Sequence, residues 1–386
     1  MSRPAVPRTE DFPSRLRSAA VAARVGVWLG ICFGVAFVTG LVSHYAQEPS
    51  QPMPFPTGPA WGYRVTQGLH VVAGTAAVPL LLVKLWSVYP RLFLRLPRVR
   101  SAAAVGALER TSIGILVAAA VFQLASGLAN ATQWYPWAFS FRSTHYAIAW
   151  VAIGALLVHI AVKLPITRAA LGADIDDTDL DRSTAVADGP ISRRTLVRSA
   201  WLTAGVVVVA SAAGTVPGLR KIAVLGSRTG EGPGGVPINT TATQARIHPD
   251  ATGSSYRLVV VHGARQEVLD LDALRRLPQQ SHSLPIACVE GWSAEGTWTG
   301  VRLRTLLELV DAPSGSDVRV QSLQESGPFN ETTLPGNFAD DDRTTLALDL
   351  AGEPLALDHG YPARLIAPNR PGVLQTKWVS QLEVLG

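Results

Sequence analysis

The sequence predicts a multidomain protein: an all-α transmembrane helical bundle of five spans, then an α+β domain outside the lipid. Three observations carry this. The chain of 386 residues is only 16% charged and 47% hydrophobic, with a mean hydropathy of +0.21, which excludes a disordered polymer and disfavours a purely soluble protein. Five apolar stretches reach or approach the roughly 20 residues needed to cross a bilayer. The charge is split: residues 1–218 hold 19 Lys and Arg against 10 Asp and Glu, whereas residues 219–386 hold 15 against 19. The basic half is also the apolar half, which argues for a membrane anchor with an acidic soluble domain and against a nucleic-acid partner.

The spans cover about Val21–Val42, Val65–Val88, Thr111–Ala131, Ser143–Leu164 and Ser199–Thr215. Trp and Tyr lie near several ends, as interfacial belts do. Orientation follows from Lys and Arg in the short connections. The N-terminus to Arg24 holds five, loop 89–108 holds four (Arg91, Arg95, Arg98, Arg100) and segment 166–198 holds five, whereas loops 45–64 and 132–142 hold one each, Arg64 and Arg142. The N-terminus is therefore expected in the cytoplasm and, after an odd number of spans, residues 219–386 outside it. The organisation expected is a four-helix membrane domain over 1–165, a cytoplasmic linker with the fifth helix over 166–218, a linker over 219–236 and a soluble domain over 237–386.

Ser192-Arg193-Arg194-Thr195-Leu196-Val197-Arg198 introduces the weakly hydrophobic fifth span. It resembles a twin-arginine export signal; ordinary positive-inside flanking is the alternative. The acidic stretch from Asp174 to Gly189 precedes it as a linker.

Four of the eight histidines, His44, His70, His145 and His159, sit in or beside the spans, where a polar side chain is costly and marks a candidate functional site. His145 and His159 are 14 residues apart, so they share one face of a helix, about 21 Å apart along its axis. That spacing suits axial imidazoles for stacked haems. The arrangement resembles the membrane cytochrome b subunits of formate dehydrogenases and hydrogenases, which draw haem b ligands from the first, second and fourth helices. Here His44, His70 and His145 lie toward the outer face and only His159 toward the inner one. His70 with His145 is the expected iron-binding pair. His159 has no evident partner, Lys84 at similar depth being a snorkelling residue, so one haem is a safer expectation than two.

Only two cysteines occur, Cys32 in an apolar run and Cys288 in the soluble half. This rules out a disulfide framework, a CxxC zinc site and a CxxCH haem attachment. The Gly- and Pro-rich run over 219–238, with Gly226, Gly230, Gly232, Gly234 and Gly235, has no strand before it or helix after it, so it is a linker and not a dinucleotide loop. Beyond it, short strands are predicted at Tyr256–Val261, Leu284–Cys288, Val318–Gln321, Thr344–Leu348, Ala363–Ala367 and Lys377–Leu385, with helices at Leu271–Leu277 and Leu303–Val310.

The string Ile286-Ala287-Cys288-Val289-Glu290-Gly291-Trp292-Ser293, followed by Trp298, Gly300-Val301 and Leu303 to Leu307, resembles the molybdopterin enzymes of the sulfite oxidase fold. Within that fold it looks like the branch of the periplasmic protein-methionine-sulfoxide reductases and their relatives. The resemblance extends over residues 237–386. It implies that Cys288 is the protein thiolate on molybdenum, a soft ligand beside the pterin dithiolene. His359-Gly360-Tyr361-Pro362-Ala363-Arg364 matches the family segment whose first and sixth residues bind the pterin cofactor; His359 stands where close relatives often carry Asn. Gln375-Thr376-Lys377-Trp378 matches the last cofactor-binding stretch, Asn239 the first, and Ser322 the small hydroxyl residue after the cysteine. A planar guanidinium at Arg364 suits a phosphate.

The resemblance thus implies a membrane-bound oxidoreductase using molybdopterin and haem b. Its partners would be the membrane quinone pool and a small-molecule or protein-bound oxide, with no nucleic acid. Reduction of an S-oxide or N-oxide is the expected reaction. Sulfite oxidation is the alternative and predicts a cationic pocket, for which Arg302 and Arg304 lie nearby in sequence. A non-catalytic tethered module would hold no metal.

Overall fold

The computed structural model describes residues 8–385 except 54, 91–99, 182–184, 186–188, 213, 215–218, 220–221 and 227–231. Arg91, Arg95, Arg98, Thr215 and Gly230, singled out above, lie outside the described residues. The chain forms two compact units, Met1–Gly40 with Leu69–Ala212 and Leu41–Gly68 with Ala213–Gly386.

Among the described residues, five helices are long and apolar enough to cross a membrane. They are α1 (Ala19–Ala46), α2 (Gly62–Val88), α3 (Arg100–Ala131), α4 (Phe141–Gly172) and α5 (Arg193–Ala212). Large apolar side chains such as Leu82, Leu157, Val162 and Leu202 are exposed on them, the reverse of a water-soluble bundle and the expected state of a surface that lipid covers. The protein is a multi-pass membrane protein.

The fourth span outlasts its apolar run. It continues through Pro165 to Gly172 because its end is capped in space: the Arg24 guanidinium donates to Ala170 O at 2.9 Å and Ala173 O at 2.8 Å, carbonyls that a helix end leaves without partners. At the start of α5, Arg193 is buried. Its guanidinium donates to Arg15 O, Ile175 O and Asp177 O and pairs with Asp181. The exposed Arg194 pairs with Asp174 and Asp176. The basic pair therefore gathers in the acidic linker that precedes it.

In the second unit the short helices are α6 (Pro249–Thr252), α7 (Leu271–Arg276), α8 (Leu303–Glu308) and α9 (Gly336–Ala339). The strands are β1 (Leu258–His262), β2 (Arg265–Leu269), β3 (Gln279–Ala287), β4 (Ser293–Arg302), β5 (Val318–Ser322), β6 (Glu331–Leu334), β7 (Thr345–Leu350), β8 (Glu353–Pro354), β9 (Arg364–Ile366) and β10 (Val379–Val384). They make two sheets. One has the order β2-β1-β10-β5-β6, and the other β3-β4-β7-β8 with β9 beside β7. Among the described residues, only β1 with β10 is parallel, an α+β pattern with the strands largely antiparallel. A shared core of Leu258, Val260, Leu306, Val320, Leu346 and Leu382 forms one apolar cluster. A second contains Cys288, Trp292 and Trp298.

Two predicted strand ends move inward for local reasons. Cys288 leaves β3 because its N–H bonds to Trp292 O at 2.9 Å and its carbonyl accepts from Gly291 N–H, closing a turn. Lys377 precedes β10 because Trp378 takes a left-handed φ of 51°.

Candidate functional site

The Cys288 turn joins β3 to β4, which pair from Gln279 with Val301 up to Ala287 with Ser293. Cys288 is 1% exposed. Burial, then the Glu290 carboxylate, push its thiol pKa up; the backbone N–H groups of Glu290 and Val289 and the Lys377 ammonium oppose the rise. A bound metal deprotonates a coordinating thiol outright, so a burial-raised pKa is compatible with a thiolate ligand. Trp292 Nε1 donates to Glu290 at 3.0 Å and fixes the other limb of the turn.

Arg364 and Lys377 are both close enough to act on the Cys288 charge. Arg364 starts β9, is 3% exposed, donates to His359 O at 3.2 Å and lies with its guanidinium 5.4 Å from the centre of the Trp298 ring. Lys377 Nζ donates to Thr240 O and Asp358 O, both at 2.8 Å. It therefore ties the Asn239–Thr240 segment to the His359 turn. Gly360 makes this packing possible: at φ 108°, a Cβ there would stand 3.0 Å from Lys377 Cα, a conformation that only glycine adopts without strain.

The other predicted residues hold the walls of this region. Asn239 Oδ1 accepts from Thr240 N–H at 2.9 Å. Ser322 Oγ donates to Lys377 O at 2.8 Å, so its hydroxyl is engaged by backbone. Gln375 bridges Ala367 N–H, Ala367 O and Arg370 O. Thr376 Oγ1 lies 3.1 Å from Thr332 Oγ1. His359 is buried with Nε2 2.9 Å from Pro233 O, which brings the glycine-rich linker to the site.

Arg370 is the residue that sequence reasoning missed. It is 2% exposed, and burial lowers its pKa to about 9. Its Nη2 donates to Thr333 O, while Nε and Nη1 have no partner among the described residues. No carboxylate was close in sequence to advertise it, and Asn369-Arg370-Pro371 looks like a surface turn. By contrast, Arg302 and Arg304, considered for an anion pocket, are already paired. Arg302 meets Asp342, and Arg304 meets Asp340 and Glu308.

Buried Arg364 Nε, Arg370 Nε and Nη1 and His359 Nδ1 all lack partners among the described residues. Buried polar groups are nearly always satisfied, and buried cations demand an anion. A buried thiol beside Arg364, which with its neighbour His359 offers donors that lack an anion, fits a phosphate-bearing cofactor with a thiophilic metal.

His359 also gives a pH prediction. Burial, then Arg364 and Lys377, lower its pKa to about 4, against about 6.5 for an unfolded histidine. The unfolded chain therefore binds more protons between these values, so stability is complete above about pH 6.5 and falls as pH drops toward about 4. His359→Asn is expected to flatten this fall, measured as the urea midpoint at pH 7 and pH 5.

In the first unit, the imidazole of His70 on α2 faces that of His145 on α4, with ring centres 6.3 Å apart. An imidazole nitrogen lies about 2 Å from a bound transition metal, so two rings on opposite sides of one iron stand roughly 6 Å apart. His70 Nδ1 is 2.8 Å from Ala36 O, and His145 Nδ1 is 3.0 Å from Ser126 Oγ. Those bonds leave both Nε2 atoms for a metal, the usual arrangement of ligating histidines. A Cβ on Gly40 would stand 2.8 Å from His70 Cε1, so this glycine is what admits the ring against α1. The residues present fit a bis-imidazole haem. His159 lies 14 residues beyond His145 on the same helix, and His44 lies edge-on to Tyr45. Lys84 bends back to donate to Ala22 O at 2.6 Å.

Residues 27–164 match the family described as prokaryotic cytochrome b561, and residues 245–386 match the oxidoreductase molybdopterin binding domain. The chain joins a haem b membrane domain to a molybdopterin-binding domain. Its sheet-rich part has the sulfite-oxidase-like fold. Similar curated proteins include one named as protein-methionine-sulfoxide reductase subunit YedZ1 of Azospira oryzae, 33% identical over 30% of this chain and 42% of that protein. The protein-methionine-sulfoxide reductase catalytic subunit MsrP of Gluconobacter oxydans is 30% identical over 30% of this chain and 42% of its own. The mitochondrial sulfite oxidase of Drosophila melanogaster is 28% identical over 35% of this chain and 28% of its own. The match thus spans less than half the length of each of these relatives.

Proposed function

We propose that the chain is a quinol-linked oxidoreductase of the cell membrane that reduces an S-oxide or N-oxide outside the cytoplasm. The observation that carries this is the presence, in one chain, of the His70–His145 imidazole pair and the buried Cys288 thiol beside Arg364 and Lys377. The Lys and Arg asymmetry supports a cytoplasmic N-terminus and an extracytoplasmic C-terminal domain. The Arg193-Arg194 pair is consistent with export of that domain already folded.

In this reading Cys288 supplies the thiolate to molybdenum. Arg364, Lys377 and His359 hold the anionic pterin cofactor, with Asn239, Ser322, Gln375 and Thr376 shaping its walls. His70 and His145 hold the haem iron; His44 and His159, expected toward opposite faces, are not assigned to it. Molybdenum, when bound, supplies two-electron oxygen-atom transfer. The balanced reaction takes an oxide, two electrons and two protons to the deoxygenated product and water, with a quinol giving the electrons and protons. Buried Arg364 raises the electron affinity of the region around Cys288, because an unscreened cation favours added negative charge.

A second reading is favoured by one observation. Arg370, six residues beyond Arg364, adds a buried cation with no carboxylate partner among the described residues, which would suit an anionic substrate such as sulfite, oxidised with water to sulfate with release of two electrons and two protons. One assay separates the two. Oxidation of a reduced viologen by a panel of S-oxides and N-oxides is expected, with no sulfite-dependent dye reduction. Turnover of sulfite alone would overturn the reductase reading in favour of the second.

A further inference from the structure

Residues 41–68 belong to the same compact unit as the Cys288 turn, and they are fastened to it by an extended set of polar contacts. Asn369 Oδ1 accepts from Tyr63 N–H at 2.6 Å, its Nδ2 donates to Pro56 O at 2.7 Å and its own N–H to Ala60 O at 3.2 Å. Thr333 N–H donates to Pro49 O at 2.7 Å, and Asn337 Nδ2 to Phe55 O at 2.8 Å. Arg64 pairs with Glu295. Ala46 and Tyr63 share an apolar cluster with Ala287, the residue before Cys288.

Inside this contact is a buried polar network. Ser43, Gln47, Tyr63 and Gln67 are all 9% exposed or less. Gln47 Nε2 donates to Ser43 Oγ at 2.6 Å and to Tyr63 O–H at 3.0 Å. Ser43 Oγ lies 2.9 Å from Tyr63 O–H and donates to Gln67 Oε1 at 2.9 Å. Gln67 Nε2 donates onward to Val289 O at 3.3 Å. The direction of the Gln67 amide is fixed by its neighbours: flipped, its oxygen would face the Val289 carbonyl, two acceptors with no proton between them. One of the four, Gln67, thus reaches the carbonyl oxygen, and Ser43, itself held by Gln47 and Tyr63, donates to the Gln67 amide oxygen.

That carbonyl belongs to the Val289–Glu290 peptide, which directly follows Cys288 in the turn closed by Cys288 N–H to Trp292 O and Gly291 N–H to Cys288 O, and the N–H of this peptide, contributed by Glu290, acts to lower the proton affinity of the Cys288 sulfur. A donor on the oxygen of a peptide polarises its N–H, and chains of hydrogen bonds in a low-dielectric interior strengthen one another. Hydrogen bonds to a ligating sulfur withdraw charge from it and are a known lever on the potential of the bound metal.

We propose that Gln67 is a positioning residue for molybdenum: by holding the Val289–Glu290 peptide of the Cys288 turn it sets the polarity of the backbone N–H beside the Cys288 sulfur, and Ser43, Gln47 and Tyr63 hold it in place to do so. This rests on Cys288 being the molybdenum ligand. Its role follows from a contact 221 residues from Cys288 in sequence, between the start of α2 and the β3–β4 turn, and is separate from the residues that grip the cofactor.

The test uses the full-length protein with its cofactors. Gln67→Met keeps the side-chain volume and removes the amide. The Mo(VI)/Mo(V) equilibrium, read by potentiometric titration of the Mo(V) electron paramagnetic resonance signal, is expected to shift about three- to tenfold toward the oxidised form, a tenfold change being 59 mV in a one-electron couple. The signal's g values are expected to shift with it. Ser43→Ala, which frees the Gln67 amide without removing it, is expected to shift the midpoint in the same direction by less, and it decides the matter if Gln67→Met does not accumulate. Unchanged g values and midpoint at full molybdenum content would overturn the inference. A wild-type protein free of molybdenum would instead bring down the reading of Cys288 on which it depends.

Discussion

Cys288→Ser is expected to abolish molybdenum-dependent turnover while the protein still folds. The fold is preserved because the serine hydroxyl is smaller than the thiol and can accept from the same Val289 and Glu290 N–H groups that face the sulfur. Function is lost because a neutral hydroxyl is a hard, protonated group, whereas the metal requires a soft, electron-rich ligand. Removing even an outer partner of a metal ligand typically costs about 10–100-fold, so loss of the ligand itself should exceed about a hundredfold in dye-coupled rate. Wild-type-like turnover in the variant would remove Cys288 from the site. The haem spectrum is expected to be unaffected, which separates this outcome from global misfolding.

His70→Ala and His145→Ala are each expected to bleach the b-type haem spectrum of the membrane fraction. The two rings face one another at 6.3 Å between centres, and each Nδ1 is occupied by a polar partner on a neighbouring helix. Losing either ring would remove one of the two imidazoles that would hold the haem, and leaves Ala36 O or Ser126 Oγ without its imidazole. Ser126→Ala is a milder change. It removes only the group that orients His145, so haem is expected to bind about 10–100-fold more weakly with a spectrum still of the bis-histidine type. An unchanged spectrum in both alanine variants of the histidines would reject the pair.

Much of this was legible in the sequence, for identifiable reasons. The five spans declare themselves because lipid demands long apolar runs whatever the partners. The Cys288 string, Arg364 and Lys377 stand in a local order that needs no tertiary information. Other features depend on space and were hidden. The extension of α4 past Pro165 rests on Arg24, 146 residues before Ala170. β4 was missed because Gly296 and Gly300 and its polar residues weaken the strand signal; its pairing with β3 and β7 supplies what its composition lacks. β2 and β6, at the sheet edges, carry too few apolar residues to announce themselves. Arg370 reads as a turn residue between Asn369 and Pro371, and only its burial shows it to be a cation without a counter-ion among the described residues. The membership of residues 41–68 in the second unit was equally invisible: Tyr63 and Asn369 are 306 residues apart, and nothing local to either names the other.

The account stands or falls on whether one polypeptide carries both metals. Elemental analysis of the detergent-purified full-length protein measures this directly. One molybdenum per chain together with at least one haem iron is the predicted result, and protein that is pure, folded and haem-loaded yet free of molybdenum would contradict it.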